Sequence, residues 1–532
     1  MASKTRVFFL NAISLTVTAI LMRAVAVIFN VYVAKSAGSE AMGLYSLLGS
    51  VYAFSITVAT AGINLGTTRL VSEAIGSGDY SLARVSMRKA LICCTVTGGL
   101  ASILLYACAP YLASFFLSDA RAETPLKILA TSLVPIAVCS CLSGYFTAVR
   151  RVKISSFSQV PIQLIKIGFT FAFLSLFGRR NAEYACIALV LGSTAAEFAS
   201  LAVTFTLYCI DKKKLCDKVG IKADISGGVV RRLLSITLPV TFSACVRSAL
   251  TMFQHALIPK GLRASGKSWT EALSSYGALH SMAMPLILFP SALISGFAGL
   301  LVPEISECMV QGRYDRLERV SYRALSLSLF FSIGVSGIMT FFSGELGMIL
   351  YNNAETARYI RIMAPLIPVM YIDGAVDAVL KGSGHQVYSM NVNIVDTLTA
   401  CIFALTLIPK LGILGYIISI YATEILNTTL SLGKLLSVSR MRPRIFHQVV
   451  MPIICIVGAT NLSKLMLTAI GIDISGGIAL TVAIILTSVA YVALLFITKS
   501  VGGEEKEFLT ASLMSTDKYD RKYRQVRTND VA

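Results

Sequence analysis

Charged side chains are scarce in this sequence. Asp, Glu, Lys and Arg make up 14% of its 532 residues, where a soluble domain carries roughly 25%. The shortage excludes an ordinary water-facing surface, and no segment reads as a soluble domain with a core of its own. There are four histidines, none spaced four residues from another, so the helical ligand pair of a zinc hydrolase is missing. The twelve cysteines form no CxxC pair. Most of them (Cys93, Cys94, Cys139, Cys141, Cys186, Cys245, Cys401 and Cys455) lie inside apolar blocks and read as small packing residues. No GxxxxGK(S/T) phosphate loop occurs, which leaves direct ATP hydrolysis without support. A membrane glycosyl- or acyltransferase would need a catalytic histidine, paired carboxylates or a metal near one interface, and none is evident. No cofactor and no metal are expected.

Apolar side chains are what the chain has in excess: 55% of residues, with a mean hydropathy of +0.73. They fall in blocks of about twenty or more, each able to cross roughly 30 Å of hydrocarbon at 1.5 Å per residue. The expected fold is an all-α polytopic membrane protein of about fourteen transmembrane helices. The first eight spans are 7–34, 42–66, 90–117, 124–149, 155–177, 183–210, 234–258 and 274–302. The remaining six are 322–343, 357–380, 387–409, 412–433, 446–469 and 475–498. The first block follows Lys4 and Arg6, exceeds the apolar region of a cleavable signal, and is expected to be retained.

With a cytoplasmic N-terminus and alternating loops, about 32 of the 47 Lys and Arg fall on the cytoplasmic side and about 12 on the other. This satisfies the positive-inside rule and places both termini in the cytoplasm. The net charge of +19 is then mainly a topology signal that also attracts anionic membrane lipids, and nucleic acid is not expected as a partner. The expected organisation is a first lobe at 1–210, a basic cytoplasmic linker at 211–233 containing DKKKLCDK, and a second lobe at 234–435. Two further helices follow at 436–500, then a charged cytoplasmic tail at 501–532, disordered or short-helical. A monomer is expected.

An internal repeat supports two equivalent lobes. VSEAIGSGDYSLARVSMRKAL (71–91) aligns with ISECMVQGRYDRLERVSYRAL (305–325), with one inserted residue. Ser72, Glu73, Gly78, Tyr80, Leu82, Arg84, Val85, Ser86 and Arg88 match Ser306, Glu307, Gly312, Tyr314, Leu317, Arg319, Val320, Ser321 and Arg323. In each copy a Glu near the end of a membrane helix is followed by Gly and a basic amphipathic stretch, expected to lie along the cytoplasmic interface. The copies share one orientation, so the repeat is parallel, a common plan for two six-helix lobes around a cavity.

Ionisable residues inside the spans are costly, roughly 2.5–3.5 kcal/mol for a central Arg on insertion scales, and so mark partners, cavities or ligands. Arg23 and Arg247 lie deep in the first and seventh helices, equivalent helices of the two lobes, and Lys166 lies deep in the fifth. Three such cations point to a cavity that receives an anion, and the planar fork of Arg suits phosphate. Arg23 and Arg247 are expected to share that cavity. The opposing reading is internal pairing with Glu197, Asp373, Asp377, Asp396 or Glu424, or a Lys166 that snorkels to an interface. Asp373 and Asp377 share a helix face; they either bind a coupling cation or proton, or neutralise Arg23 or Arg247. Pro285 and Pro290 mark a kinked segment that can hinge.

The series of motifs resembles a known family. GLYSLLGSVYAFSITVATAGI (43–63), TTRLVSEAIGSGD (67–79), SGYFTAVRRVKISSFSQV (143–160) and LPVTFSACVRSAL (238–250) occur in order. YGALHSMAMPLILFPSAL (276–293), LLVPEIS (300–306), YIRIMAPLIPVMYIDGAVDAVLKGSGHQ (359–386) and IPKLGILGYIISIYATE (408–424) follow. Together they resemble the stage V sporulation protein B and polysaccharide-transporter branch of the multidrug/oligosaccharidyl-lipid/polysaccharide exporter superfamily. The resemblance implies two six-helix lobes around a V-shaped cavity, two C-terminal helices and alternating access. It also implies a bacterial cell-membrane flippase or exporter of lipid-linked sugars, similar to lipid II flippases, in which cavity cations hold the diphosphate. Asn30, Ile162, Ser143 and Gln254 stand where relatives often carry a cation, a glutamate, an Arg and an acidic residue, and Arg247 matches no family position. The competing function is a cation-coupled drug exporter of the same superfamily, which would favour a carboxylate-lined first lobe; that lobe offers only Glu197.

Overall fold

The computed structural model describes residues 2–149, 151–177, 181–216, 228–439, 441, 446–469, 476–498 and 500. Every regular element among them is helical. In chain order these are α1 (Ala2–Thr60), α2 (Ile63–Gly76), α3 (Tyr80–Tyr111), α4 (Glu123–Thr131), α5 (Leu133–Ala148), α6 (Val152–Phe177) and α7 (Ala182–Cys216). Next come α8 (Val229–Ala264), α9 (Trp269–Tyr276), a π-helical turn (Gly277–Ala283), α10 (Met284–Leu288), α11 (Ser291–Val310) and α12 (Tyr314–Phe341). The rest are α13 (Ser343–Tyr351), α14 (Ala354–Met363), α15 (Ile367–Gly382), α16 (Gln386–Thr406), α17 (Ile408–Leu411), α18 (Ile413–Ser439), α19 (Met451–Ala469) and α20 (Gly477–Ile497).

Thirteen candidate spans lie among the described residues. The first, Leu21–Gly76, has 56 residues, about twice what one crossing needs, and its backbone breaks at Gly38 (φ 83°). That one run therefore takes in the second expected span and the first from Leu21 onward, and the others correspond one to one. The span expected at 274–302 is not one helix: the π turn, α10 and the start of α11 divide it around Pro285 and Pro290.

The helices pack as two units. One comprises Met1–Ala292 and Asn393–Glu424, the other Leu293–Val392 and Ile425–Ala532. These units do not divide at the basic linker; residues 217–227 of that linker, and the tail from 501 onward, lie outside the described residues. The second unit has a core that includes Ile305, Leu329, Phe330, Val376, Ile456 and Tyr491. Two polar ties are set into it: Tyr491 donates to the Phe330 carbonyl at 2.8 Å, and Gln448 to the Ser326 hydroxyl at 2.6 Å.

The repeat is visible in hydrogen bonds. At the end of α2, Ser77 N–H bonds Glu73 O and Asp79 N–H bonds Ala74 O, both at 3.0 Å. At the end of α11, Gln311 N–H bonds Glu307 O and Arg313 N–H bonds Cys308 O, also at 3.0 Å. Gly78 (φ 75°) and Gly312 (φ 66°) take the same left-handed position in these turns, which only glycine adopts without strain. After each turn the basic stretch forms the first turns of α3 and α12, long helices that continue into candidate spans. The reason is local: neither stretch has a breaker between its tyrosine and the apolar run, and in the first copy Asp79 caps Leu82 N–H at 2.8 Å.

Candidate functional site

A cavity of about 400 Å³ opens in the first unit, lined by Thr57 of α1, Ala244, Arg247, Ser248 and Thr251 of α8, and Asn393 and Thr397 of α16. That size falls within the roughly 300–1,000 Å³ of small-ligand sites. The seam holding α8 against α1 and α2 fixes one wall. Thr241 donates to the Ala61 carbonyl at 2.6 Å, and the Thr57 and Ser248 hydroxyls lie 3.2 Å apart. Farther along, Arg232 pairs with Glu73 at 2.7 Å. Thr251 and Thr397 each bond a carbonyl one turn back. The guanidinium of Arg247 makes no hydrogen bond and no ion pair with any described residue. Asp396 follows Asn393 by three residues on α16, so helical spacing sets it beside that wall.

Arg23 does not line this cavity. It donates to the Leu288 carbonyl at 3.2 Å and to the Ser291 hydroxyl at 3.4 Å. Pro290 explains the arrangement: it interrupts the helix, Ala292 N–H turns back to Phe289 O, and the Leu288 carbonyl is left for side chains to satisfy. Ser291 supplies a second bond at 2.6 Å. Lys166, on α6, acts electrostatically on Glu197 of α7. Of the three cations that the sequence grouped, Arg247 lines this cavity, Arg23 bonds the Leu288 carbonyl and Ser291, and Lys166 acts on Glu197.

The acidic candidates divide too. Asp377 pairs with Lys381, one turn away on α15, and accepts from Ser389. Asp373 lies one turn before it and is half-buried, as is Glu424 on α18. In the repeat, Glu73 joins Arg69 and Arg232, whereas Glu307 accepts from Gln311 at 3.0 Å. Arg84 is exposed, and Arg319 donates to the Asp315 carbonyl.

Sequence reading missed a polar latch in the same unit. Arg121 bonds Asp119 at 2.9 Å and Glu40 of α1 at 2.8 Å. The indole N–H of Trp269, at the start of α9, donates to Asp119 at 2.8 Å. Burial pushes the Asp119 carboxyl up, but the bonds from Arg121 and Trp269 outweigh it and hold the group below the usual carboxylate range. A depressed carboxylate contributes stability that is complete above its unfolded pKa, about 3.9, and is lost as pH falls through the folded value. Thermal melts of the wild type should therefore lose stability below about pH 4, and Asp119→Asn should lack that component. An identical acid limb in both proteins would remove Asp119 from the balance.

Residues 8–309 match the family model described as polysaccharide biosynthesis protein, and residues 265–406 match the model described as MatE. The chain is 29% identical over 449 residues to Stage V sporulation protein B of Bacillus subtilis (strain 168), covering 82% of this chain and 86% of that protein. It is 23% identical over 425 residues to Lipid II flippase MurJ of the same organism, covering 72% and 75%. A solved structure of Lipid II flippase MurJ in an inward closed conformation superposes with a TM-score of 0.69 at 14% identity, covering 92% of this chain and 99% of that one. An inward-facing multidrug resistance MATE family transporter of the MOP superfamily gives 0.59 at 15% identity, covering 81% and 99%. At such identities the solved structures speak for a shared fold.

Proposed function

This chain belongs to the polysaccharide biosynthesis protein family, and from that membership we propose that it is a flippase for an undecaprenyl-diphosphate-linked sugar or peptidoglycan precursor. The observation that carries the substrate class is the Arg247 guanidinium, bonded to no described residue, in a cavity lined by Ala244 and by hydroxyl and amide side chains. A cation held in that setting attracts a multivalent anion strongly, and its fork matches two phosphate oxygens. Thr57, Ser248 and Asn393 add neutral polar contacts. When the anion leaves, Asp396, beside the α16 wall by helical spacing, offers a counter-charge, so loading and unloading can alternate with a change in helix packing.

In this reading Arg23 secures the broken helix at Pro290, Lys166 and Glu197 balance each other, and Asp377 serves Lys381. The protein works as a monomer in the bacterial cell membrane, with both termini and the 211–233 linker in the cytoplasm. Its halves, 1–210 and 234–435, act as lobes, and the helices of 436–500 are accessory. It transports without chemical turnover of its substrate.

The MatE match over residues 265–406 favours one second reading, a cation-coupled multidrug exporter. The two separate in proteoliposomes. Protein-dependent loss of leaflet protection of a fluorescent undecaprenyl-diphosphate sugar is expected. Efflux of organic cations with no lipid movement, under an imposed potential or an ion gradient, would replace the flippase by the exporter.

A further inference from the structure

Two of the four histidines meet inside the first unit, in a cluster with no assigned role. His255 of α8 and His280 of the π turn have ring centroids 4.6 Å apart. The Tyr276 hydroxyl lies 3.0 Å from His255 Nδ1, and the Tyr416 hydroxyl of α18 lies 3.4 Å from His280 Nδ1. Tyr276 also stacks on His280, with centroids 5.2 Å apart and planes 6° from parallel. Both tyrosines are buried, at 0% and 4% exposure, while both imidazoles are half-buried.

The surroundings are chemically plain. No carboxylate, lysine or arginine acts on either ring among the described residues. The nearest charged groups on the elements packed around the cluster point away from it or act on neither ring. Glu40 of α1 pairs with Arg121, Lys260 of α8 bonds the Phe115 carbonyl, Glu271 of α9 caps Ser268, and Arg247 faces the cavity. Lys410 of α17 acts on neither ring.

A neutral imidazole offers one donor and one acceptor. A proton added at either ring makes both its nitrogens donors, and the facing tyrosine hydroxyl turns to accept. A second proton on the neighbouring ring would set two like charges 4.6 Å apart away from bulk water, which opposes its binding. The π turn carrying His280 is a rare element that occurs mostly at functional sites.

We infer that His255 and His280, with Tyr276 and Tyr416, form a binding site for a single proton, whose uptake from water and release to water is coupled to transport. The coupling rests on the transporter reading; the site itself does not. The test is nitrogen-15 histidine NMR on the full chain in lipid nanodiscs, with His385→Gln and His447→Gln identifying the other two signals. The expected result is one shared one-proton transition for His255 and His280 within roughly pH 4–8. Tyr276→Phe and Tyr416→Phe, which keep the rings packed, should shift that transition without splitting it. In proteoliposomes the wild-type rate should change on the order of tenfold across one pH unit on the limiting side of the transition. His255→Gln and His280→Gln should flatten that profile. Two independent transitions, no transition at all, or unchanged profiles in both glutamine variants would overturn the inference. A shared transition in protein that moves no lipid-linked sugar would uphold the site and remove only the transport reading.

Discussion

Arg247→Ala is expected to slow translocation of an undecaprenyl-diphosphate sugar by about two orders of magnitude while leaving the fold intact. Arg247 is exposed at the cavity; once the substrate covers it, removing one partner of the resulting charge pair costs about 2–5 kcal/mol, and about 1.4 kcal/mol is tenfold. The folded protein loses little, because the guanidinium has no bond to any described residue. Deleting a mid-span Arg also removes an insertion cost. Arg247→Lys keeps the charge and loses the fork, so its rate should fall between the two. The readout is the rate of leaflet exchange in proteoliposomes, paired with a thermal melt in detergent. An unchanged rate in Arg247→Ala would leave the flippase but discard this cavity as the phosphate site; a collapsed melt would make Arg247 structural.

Gly277→Val should prevent accumulation of folded protein. A Cβ at Gly277 would lie 2.0 Å from the Ser39 carbonyl oxygen and 2.6 Å from the Gly43 nitrogen. From the other side, a Cβ at Gly43 would lie 2.1 Å from the Leu273 carbonyl oxygen. These neighbours are backbone of α1 and α9, not side-chain tips, so relief requires the helices to separate. Ordinary overpacking costs about 1–3 kcal/mol, and separation adds the loss of the Ser39–Ser274 hydroxyl contact at 2.7 Å and of the Ser281 bond to the Met42 carbonyl at 3.0 Å. Against a net stability of about 5–15 kcal/mol, that loss is severe. Gly49→Ala, where a Cβ meets nothing within 4 Å, is the control and should express and melt as wild type. Normal size-exclusion behaviour and melting of Gly277→Val would show that the close approach of α1 and α9 is dispensable.

The membrane fold was legible because hydrocarbon thickness writes itself into block length, and a helix must satisfy its own backbone there. The repeat was legible because Gly78 and Gly312 each hold a turn that only glycine takes easily. Pairing was harder to read. Asp377 and Lys381 are one turn apart on a single helix, so their ion pair was open to sequence reasoning, which weighed Asp377 instead as a coupling-ion ligand or a counter-charge to Arg23 or Arg247. Arg23 drew attention by its depth, but its partner is a carbonyl released by Pro290, which spacing does not reveal. His255 and His280 are 25 positions apart on separate helical segments, and Tyr416 arrives from α18; only packing brings them together. The hydroxyls and amide of the cavity carried no signal at all, since Thr57, Ser248 and Asn393 are ordinary residues until helices set them around one arginine.

Trp269 is the one tryptophan in the sequence, and its indole N–H is bonded to the Asp119 carboxylate. Ultraviolet-excited emission beyond the tyrosine range therefore comes from a single known location. Charge beside the indole ring and water around it both tune the colour and yield of that light. Opening of the latch joining Glu40, Arg121, Asp119 and Trp269 would be followed in real time without a label, and stopped-flow traces would time it against substrate movement in the same vesicles.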